Sequence, residues 1–309
     1  MIPANTLDAL ATEQNNPASA AIDETTTLEM VTLINQEDQK AALSIAPILP
    51  QIAAAVDLIA ERLQQNGRLI YCGAGTSGRL GILDAAECPP TFGTEPGQVV
   101  GLIAGGHEAM FQAQEGAEDD EAAAVSDLTA IELTAADVVV GLSASGRTPY
   151  AVSALRYARQ RGAATIAVVS SPASPLAQEA DIALTAFPGP EVIAGSTRLK
   201  AGTVQKLILN MLSTGTMIRL GKVYGNRMVD LQATNEKLAR RALRIVQEVT
   251  GDEEKTCQEN LRKAEGNAKL AIFLAFSGLS PEAGKRCLQK SAGHLKTALN
   301  KLSARGGIA

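Results

Sequence analysis

The sequence has 309 residues, 46% of them apolar but only 3% aromatic and none tryptophan, which implies an aliphatic, alanine-rich core large enough for one large domain and a smaller companion. A formal charge of −5 argues against general nucleic-acid binding, although residues 225–309 hold 15 Lys/Arg against 9 Asp/Glu, a solvated helical face or a basic surface for a partner. Four cysteines without Cys-x-x-Cys spacing and two histidines, His107 and His294, argue against a zinc site or a disulfide framework and suit a reducing, cytoplasmic compartment.

In chain order, residues 1–20 read as a polar arm and 24–40 as a helix. Residues 50–66 form a second helix, with Ile52, Val56, Ile59 and Leu63 at helical spacing and Gly67 as its stop. The N-terminus shows no signal-peptide pattern. The most apolar early stretch, residues 45–60, is interrupted by Pro47, Pro50, Gln51 and Asp57 and does not read as a membrane span. Strands and helices then alternate: strand 68–72, helix 77–86, strand 98–104, helix 108–124, strand 137–142, helix 148–161, strand 164–169, a short strand 181–185, and a long helix 198–220. Apolar runs separated by helices predict an α/β fold, a three-layer α/β/α sandwich on a parallel five-stranded sheet. Residues 221–226 read as a turn-rich hinge with no strand after it. Helices follow over 234–249 (capped by Thr234), 253–264, 267–276, 281–291 (Ser280 as cap, Pro281 first) and 294–302, before Gly306-Gly307. The predicted organisation is an arm and helix over 1–50, an α/β domain over 51–224, and a small helical domain over 225–309 that serves as a docking module, a lid or a dimerisation element.

Two stretches carry chemistry, both beyond the carboxyl ends of predicted strands, where such sheets bind ligands. In the first, a strand leads into Gly73, Gly75, Thr76, Ser77, Gly78 and Arg79 and then a helix, so that glycines admit a ligand and free helix-start N–H groups meet an anion. The spacing also satisfies Gly-x-Gly-x-x-Gly. A dinucleotide site, however, wants an acidic residue closing the next strand, and that strand runs into Gly105-Gly106-His107. In the second, Ser143, Ser145 and Thr148 offer hydroxyls, Gly146 permits close approach, and Thr148-Pro149 opens a helix. No Gly-x-x-x-x-Gly-Lys-[Ser/Thr] pattern exists, which removes the P-loop hydrolases.

Ser143-Ala-Ser145-Gly-Arg-Thr148-Pro resembles the phosphosugar loop of the sugar-isomerase (SIS) domain. Gly73-Ala-Gly-Thr-Ser77-Gly-Arg, with Glu87-Cys-Pro-Pro-Thr-Phe92-Gly, resembles one branch of it, the N-acetylmuramic acid 6-phosphate etherases, relatives of the glucokinase regulatory proteins. Further similar strings are Gly101-Leu-Ile-Ala-Gly-Gly-His107, Glu115-Gly-Ala-Glu118, Ala194-Gly-Ser-Thr-Arg-Leu-Lys200 and Met228-Val-Asp-Leu-Gln-Ala-Thr-Asn235, so the resemblance spans about residues 23 to 300. It implies an SIS domain followed by a small UBA-like helical domain, a homodimer with a composite site, a phosphosugar substrate, no cofactor and no metal, and no nucleic-acid or membrane partner.

The chemistry so implied is loss of a lactyl ether from sugar C3. In the open-chain sugar the C1 aldehyde acidifies the C2 hydrogen, a base removes it, an acid protonates the departing oxygen, and water adds back at C3. Such work needs two carboxyls in different protonation states, each worth roughly 10²–10⁴ in rate. The resemblance assigns them to Glu87, expected at a helix end among apolar neighbours as the acid, and to Glu118, expected on the helix after the second strand as the base. Without the resemblance, Glu118 reads as part of a solvated acidic face and His107 as structural. Ser196 and Lys200 open the long helix either as sugar or phosphate contacts or as its cap and first turn. The competing readings are a non-catalytic phosphosugar sensor, expected to have duplicated loops; a transcriptional regulator, expected to have a DNA-binding module before the domain; and an aldose–ketose isomerase, which leaves the Glu-Cys-Pro-Pro string unexplained.

Overall fold

The computed structural model describes residues 12–231 and 236–304. Most of the expected arm, Thr234 with the last residues of the Met228–Asn235 string, and Gly306-Gly307 lie outside the described residues. The chain divides into two compact units: residues up to Ala86 with Gly97–Gly215, and Glu87–Pro96 with residues from Thr216 onward.

The first unit opens with α1 (Thr27–Leu43), started by a capping box in which Thr26 and Glu29 satisfy each other's backbone N–H groups. There follow α2 (Leu49–Gln64), β1 (Leu69–Gly73), α3 (Gly75–Phe92), β2 (Val99–Ile103), α4 (Glu121–Ala130), β3 (Val138–Leu142), α5 (Pro149–Gln160), β4 (Ala164–Val169), the single turn α6 (Pro175–Gln178), β5 (Ile182–Thr185) and α7 (Lys200–Arg219), the residues of α3 from Glu87 and of α7 from Thr216 being counted with the second unit. The strands form the expected five-stranded sheet, all parallel, in the order β2-β1-β3-β4-β5. Every residue of β1, β3 and β4 is buried, as strands covered on both faces require. One face carries Ile70, Cys72, Val139 and Ala167 against Leu128 of α4, Tyr150 and Leu155 of α5 and Leu176 of α6. The alternate residues, led by Tyr71, meet the other helical layer, where Gly81 of α3 lies so close that a Cβ would fall 2.8 Å from that of Tyr71. By length and composition residues 27–64 could cross a membrane. The run breaks at residues 44–48, however, and α2 buries Ile52, Val56, Ile59 and Leu63 within the fold.

Two polar clusters pin the sheet. At its amino end, Arg68 holds Asp137 through Nη2 (2.7 Å) and Nε (3.1 Å), joining the starts of β1 and β3. Burial pushes the Asp137 carboxyl up, but the Arg68 guanidinium and the Thr134 N–H outweigh it and hold it below the usual carboxylate range. Asp84 of α3 is buried and accepts from Tyr71 Oη (2.8 Å), Ser213 Oγ (3.0 Å) and Asn210 Nδ2 (3.1 Å), tying β1, α3 and α7 together. Its burial outweighs these donors and raises its carboxyl above the ordinary value.

Three expectations are corrected. The helix over 108–124 does not form: two 3₁₀ turns, His107–Met110 and Ala117–Asp119, precede α4. Gly116 at φ 76° turns the chain out of helical geometry, and the Asp120 side chain, accepting from Ala123 N at 2.9 Å, starts a new helix there. Helix α3 does not stop at 86 but runs through Pro89 and Pro90 to Phe92. Both prolines fall in its last turns, where Gly93 N still bonds Pro89 O (2.9 Å). The hinge over 221–226 is a small antiparallel hairpin, β6 (Val223–Tyr224) and β7 (Arg227–Met228).

The second unit continues with α8 (Glu236–Thr250), α9 (Glu254–Lys263), α10 (Ala268–Ser277), α11 (Pro281–Gln289) and α12 (Leu295–Ser303). Its core gathers Ile245, Val246, Cys257, Leu288 and Leu299 around α10, whose residues 268–274 are all buried. Asn267 caps α10 and Ser280 caps α11, as expected for Ser280. Lys269, buried in α10, pairs with Asp230; burial still lowers its ammonium below the usual lysine range.

Candidate active site

The strand order makes β1 and β3 neighbours while the chain leaves them for opposite sides of the sheet, so the crevice between their carboxyl ends is a topological switch point. Gly73 and Leu142, the last residues of the two strands, are register partners. The glycine-rich loop and the serine-rich loop therefore leave the sheet side by side.

The serine loop is prearranged by its own hydroxyls. Ser143 Oγ accepts from Gly146 N (3.0 Å) and lies 2.9 Å from Thr148 Oγ1 and 3.4 Å from Ser145 Oγ, which itself accepts from Arg147 N (3.2 Å). Thr148 occupies the N-cap position of α5, but its side chain makes no cap bond and faces Ser143 instead, leaving the helix-start N–H groups to another acceptor. Gly146 sits at φ 67°, and a Cβ there would lie 2.2 Å from Ser174 Oγ and 2.4 Å from its Cβ. The loop is closed around a position that only glycine fits.

In the first loop, Gly75 opens α3 at the surface, Thr76, Ser77 and Arg79 are half-buried, and Gly78 is buried. Gly78 is a packing glycine, since a Cβ would stand 2.6 Å from both Gly73 O and Ile103 Cγ1. Ser77 Oγ donates to Gln205 Oε1 of α7 (2.9 Å), and Arg79 Nε donates to Met110 O (3.1 Å).

Several site candidates stand elsewhere than expected. Lys200, a candidate substrate contact, is completely buried: its Nζ donates to Glu37 Oε2 (2.7 Å) and Pro190 O (2.9 Å). Ser196 does not cap α7; the buried Glu191 carboxylate does, accepting from Lys200 N and Ala201 N, both at 2.9 Å. Glu87 is exposed and inside α3 rather than at a helix end among apolar neighbours. Glu118 is exposed in the turn Ala117–Asp119. His107 is exposed, its ring 5.3 Å from that of Phe111.

The sequence reading missed a third serine-rich turn. Ser170, Ser171 and Ser174, after β4, bury hydroxyls without a partner among the described residues, and Arg147 Nε is likewise buried without one. Buried donors left open at the carboxyl edge of a sheet suit an oxygen-rich ligand; two successive serines directly after an apolar strand were the available signal. Gln205 was also missed, because nothing local distinguishes it from its polar neighbours Thr203 and Lys206 as the partner of a loop 128 residues away. Among the described residues no three His, Cys, Asp or Glu side chains group as metal ligands.

Comparison with known proteins agrees with this geometry. Residues 51–159 match the family described as glucokinase regulatory protein N-terminal SIS domain, 117–214 the SIS domain, and 225–271 the C-terminal lid domain of glucokinase regulatory protein. A solved putative phosphosugar isomerase involved in capsule formation from Bacteroides fragilis is 25% identical with a TM-score of 0.51, over 63% of this chain and 91% of that one. The N-acetylmuramic acid 6-phosphate etherase of Edwardsiella ictaluri is 57% identical over 295 residues, 96% of this chain and 98% of the relative. That of Serratia proteamaculans is 55% identical over 96% and 99%. The chain belongs to the N-acetylmuramic acid 6-phosphate etherase family.

Proposed function

We propose that this chain is a carbon–oxygen lyase that converts N-acetylmuramic acid 6-phosphate and water into N-acetylglucosamine 6-phosphate and D-lactate, in the recycling of cell-wall amino sugars. The carrying observation is the pair of hydroxyl-rich loops on adjacent strands, in a chain of etherase kinship. Ser143, Ser145, Gly146 and Thr148, with the start of α5, take the phosphate; Gly75, Thr76, Ser77, Gly78 and Arg79 take the sugar from the neighbouring loop. Glu118 removes the C2 proton and later activates water. Glu87 protonates the ether oxygen as the C3–O bond breaks, giving lactate and a 2,3-unsaturated aldehyde to which water adds at C3 and a proton returns at C2. These two roles rest on the etherase strings that contain both glutamates. Lys200 and Glu191 position α7 rather than touch substrate.

A second copy of the chain is proposed to complete the site. Leu28, Val31 and Leu43 expose apolar side chains along α1, and Leu49 extends that surface. The four cysteines are free, which fits the cytoplasm.

The test is incubation with N-acetylmuramic acid 6-phosphate in ¹⁸O-water, with fragmentation separating C3 from the exchangeable C1 oxygen. Unlabelled D-lactate and label at C3, both lost in Glu87→Gln and Glu118→Gln, are expected. Saturable phosphosugar binding without lactate release would instead favour a sensor.

A further inference from the structure

The two loops dispose of one anion, the 6-phosphate, whereas a muramic sugar phosphate carries a second, the carboxylate of its lactyl group. A cavity of about 260 Å³ opens beside the first loop, lined by Thr76, Leu80, Arg198, Gly202, Thr203 and Lys206. Its walls are the first turns of α3 and of α7, which approach closely there: a Cβ on Gly202 would lie 3.5 Å from Thr76 Cγ2. Thr203 and Lys206, three residues apart on α7, share one helical face, and Arg198 precedes that helix.

Arg198 and Lys206 make no ion pair among the described residues, and the carboxylate whose titration Lys206 influences, Asp84, is already hydrogen-bonded by Tyr71, Ser213 and Asn210. Arg198 also borders a larger, mostly apolar cavity with Asp23 and Asp38 on its walls, but pairs with neither. Thr76 Oγ1 has no partner among the described residues, whereas Thr203 Oγ1 donates to Leu199 O (2.9 Å). Two cations without an ion pair among the described residues, an open hydroxyl and one apolar wall, Leu80, match a small carboxylate that carries an alkyl group.

We infer that this cavity holds the D-lactyl group, with its carboxylate between Arg198 and Lys206 and its methyl on Leu80. The inference rests on the etherase reading and adds what distinguishes the substrate from the product, which lacks the lactyl group. It also places the leaving group on α7, whose first turn is fixed by Glu191 and by the Lys200–Glu37 pair.

The test uses two probes that cannot react: N-acetylmuramitol 6-phosphate and N-acetylglucosaminitol 6-phosphate. Reduction at C1 removes the aldehyde, so C2 is no longer acidic, and the two alditols differ only in the lactyl group. Calorimetric titration of the full-length wild type is expected to show the muramitol phosphate binding tighter by at least about tenfold, as a charge-assisted contact provides. Arg198→Met and Lys206→Met should each shrink that preference, and the double variant should abolish it, with the glucosaminitol phosphate affinity unchanged throughout. A wild type without preference, or variants that weaken both probes alike, overturns the inference. Lactate release by the wild type is scored separately: preference without release would keep the cavity's role and remove the etherase.

Discussion

The Lys200 ammonium lies 2.7 Å from the Glu37 carboxylate although 163 residues separate them, and both side chains are almost wholly withdrawn from solvent. Asn16 Nδ2 donates to the same carboxylate oxygen (3.0 Å), and Lys40 pairs with the other. The pair joins α1 to the start of α7 and so holds the segment that carries Arg198. Lys200→Met leaves Glu37 buried without its main counter-charge, and a stability loss of about 3–5 kcal/mol is expected. Glu37→Gln with Lys200→Met together should recover most of it. Urea midpoints of the two single variants and the double variant measure this directly, and a double variant no more stable than Lys200→Met would refute the coupling.

Acid should reveal the same pair. Burial pushes the Glu37 carboxyl up, but the hydrogen bonds from Lys200, Lys40 and Asn16 outweigh it and lower it from 4.5 to about 2. The folded chain therefore binds fewer protons than the unfolded one between these values. The stabilisation is fully present above pH 4.5 and is lost as pH falls toward 2; Asp137 acts in the same direction, and Asp84, with its raised carboxyl, opposes them. Urea midpoints taken at pH 6, 4 and 3 should fall steadily for the wild type and less steeply for the Glu37→Gln, Lys200→Met double variant.

Gly146→Ala should damage phosphosugar binding before it damages the fold. The new Cβ meets both Oγ and Cβ of Ser174, so the serine cannot swing its hydroxyl aside, and the residue is also held at φ 67°. A loss of at least about tenfold in affinity for N-acetylglucosamine 6-phosphate is expected, the size of one charge-assisted contact misplaced. Ser143→Ala, which removes the hydroxyl shared by Gly146 N and Thr148, should lose affinity without strain. Calorimetry gives both values, and an unaltered affinity in Gly146→Ala would exclude the serine loop from the site.

Asp84 separates charge from hydrogen bonding. Asp84→Ala removes the acceptor shared by the buried Tyr71 and Ser213 and the half-buried Asn210, and should cost about 3 kcal/mol. Asp84→Asn keeps an acceptor for two of them and avoids a buried charge, so a smaller loss is expected. Thermal melts at pH 7 rank the two; equal losses would show that the charge itself, not the bonding pattern, holds α7.

Regular, locally determined features were legible in the sequence. The apolar runs at Leu69–Gly73, Val138–Leu142 and Ala164–Val169 are buried strands with helices between them, and the strand-loop-helix pattern put both hydroxyl-rich loops at one sheet edge. Legibility failed where a local signal competed with a tertiary one. The alanine-rich run around residues 108–124 looks helical, but Gly116 and the Asp120 cap divide it. The prolines after Cys88 look like a stop, yet in the final turns of α3 they are tolerated. Lys200, a cation at a helix start near a phosphate loop, reads as a ligand contact only until its distant partner Glu37 is seen. Gln205 and Arg198 gain meaning solely from what faces them.

The two hydroxyl-rich loops hang from hydrogen-bonded parallel strands whose ends, Gly73 and Leu142, are in register. Their separation is set by the inter-strand repeat of about 4.8 Å, a property of peptide geometry rather than of any side chain. The sheet thus acts as a fixed calliper, and mutation can change what each jaw grips but not how far apart the jaws stand. Adaptation toward a bulkier or smaller sugar must then be accommodated by the outer wall, at the start of α7, where Thr203 and Lys206 on the helix and Arg198 just before it can vary without disturbing the gauge.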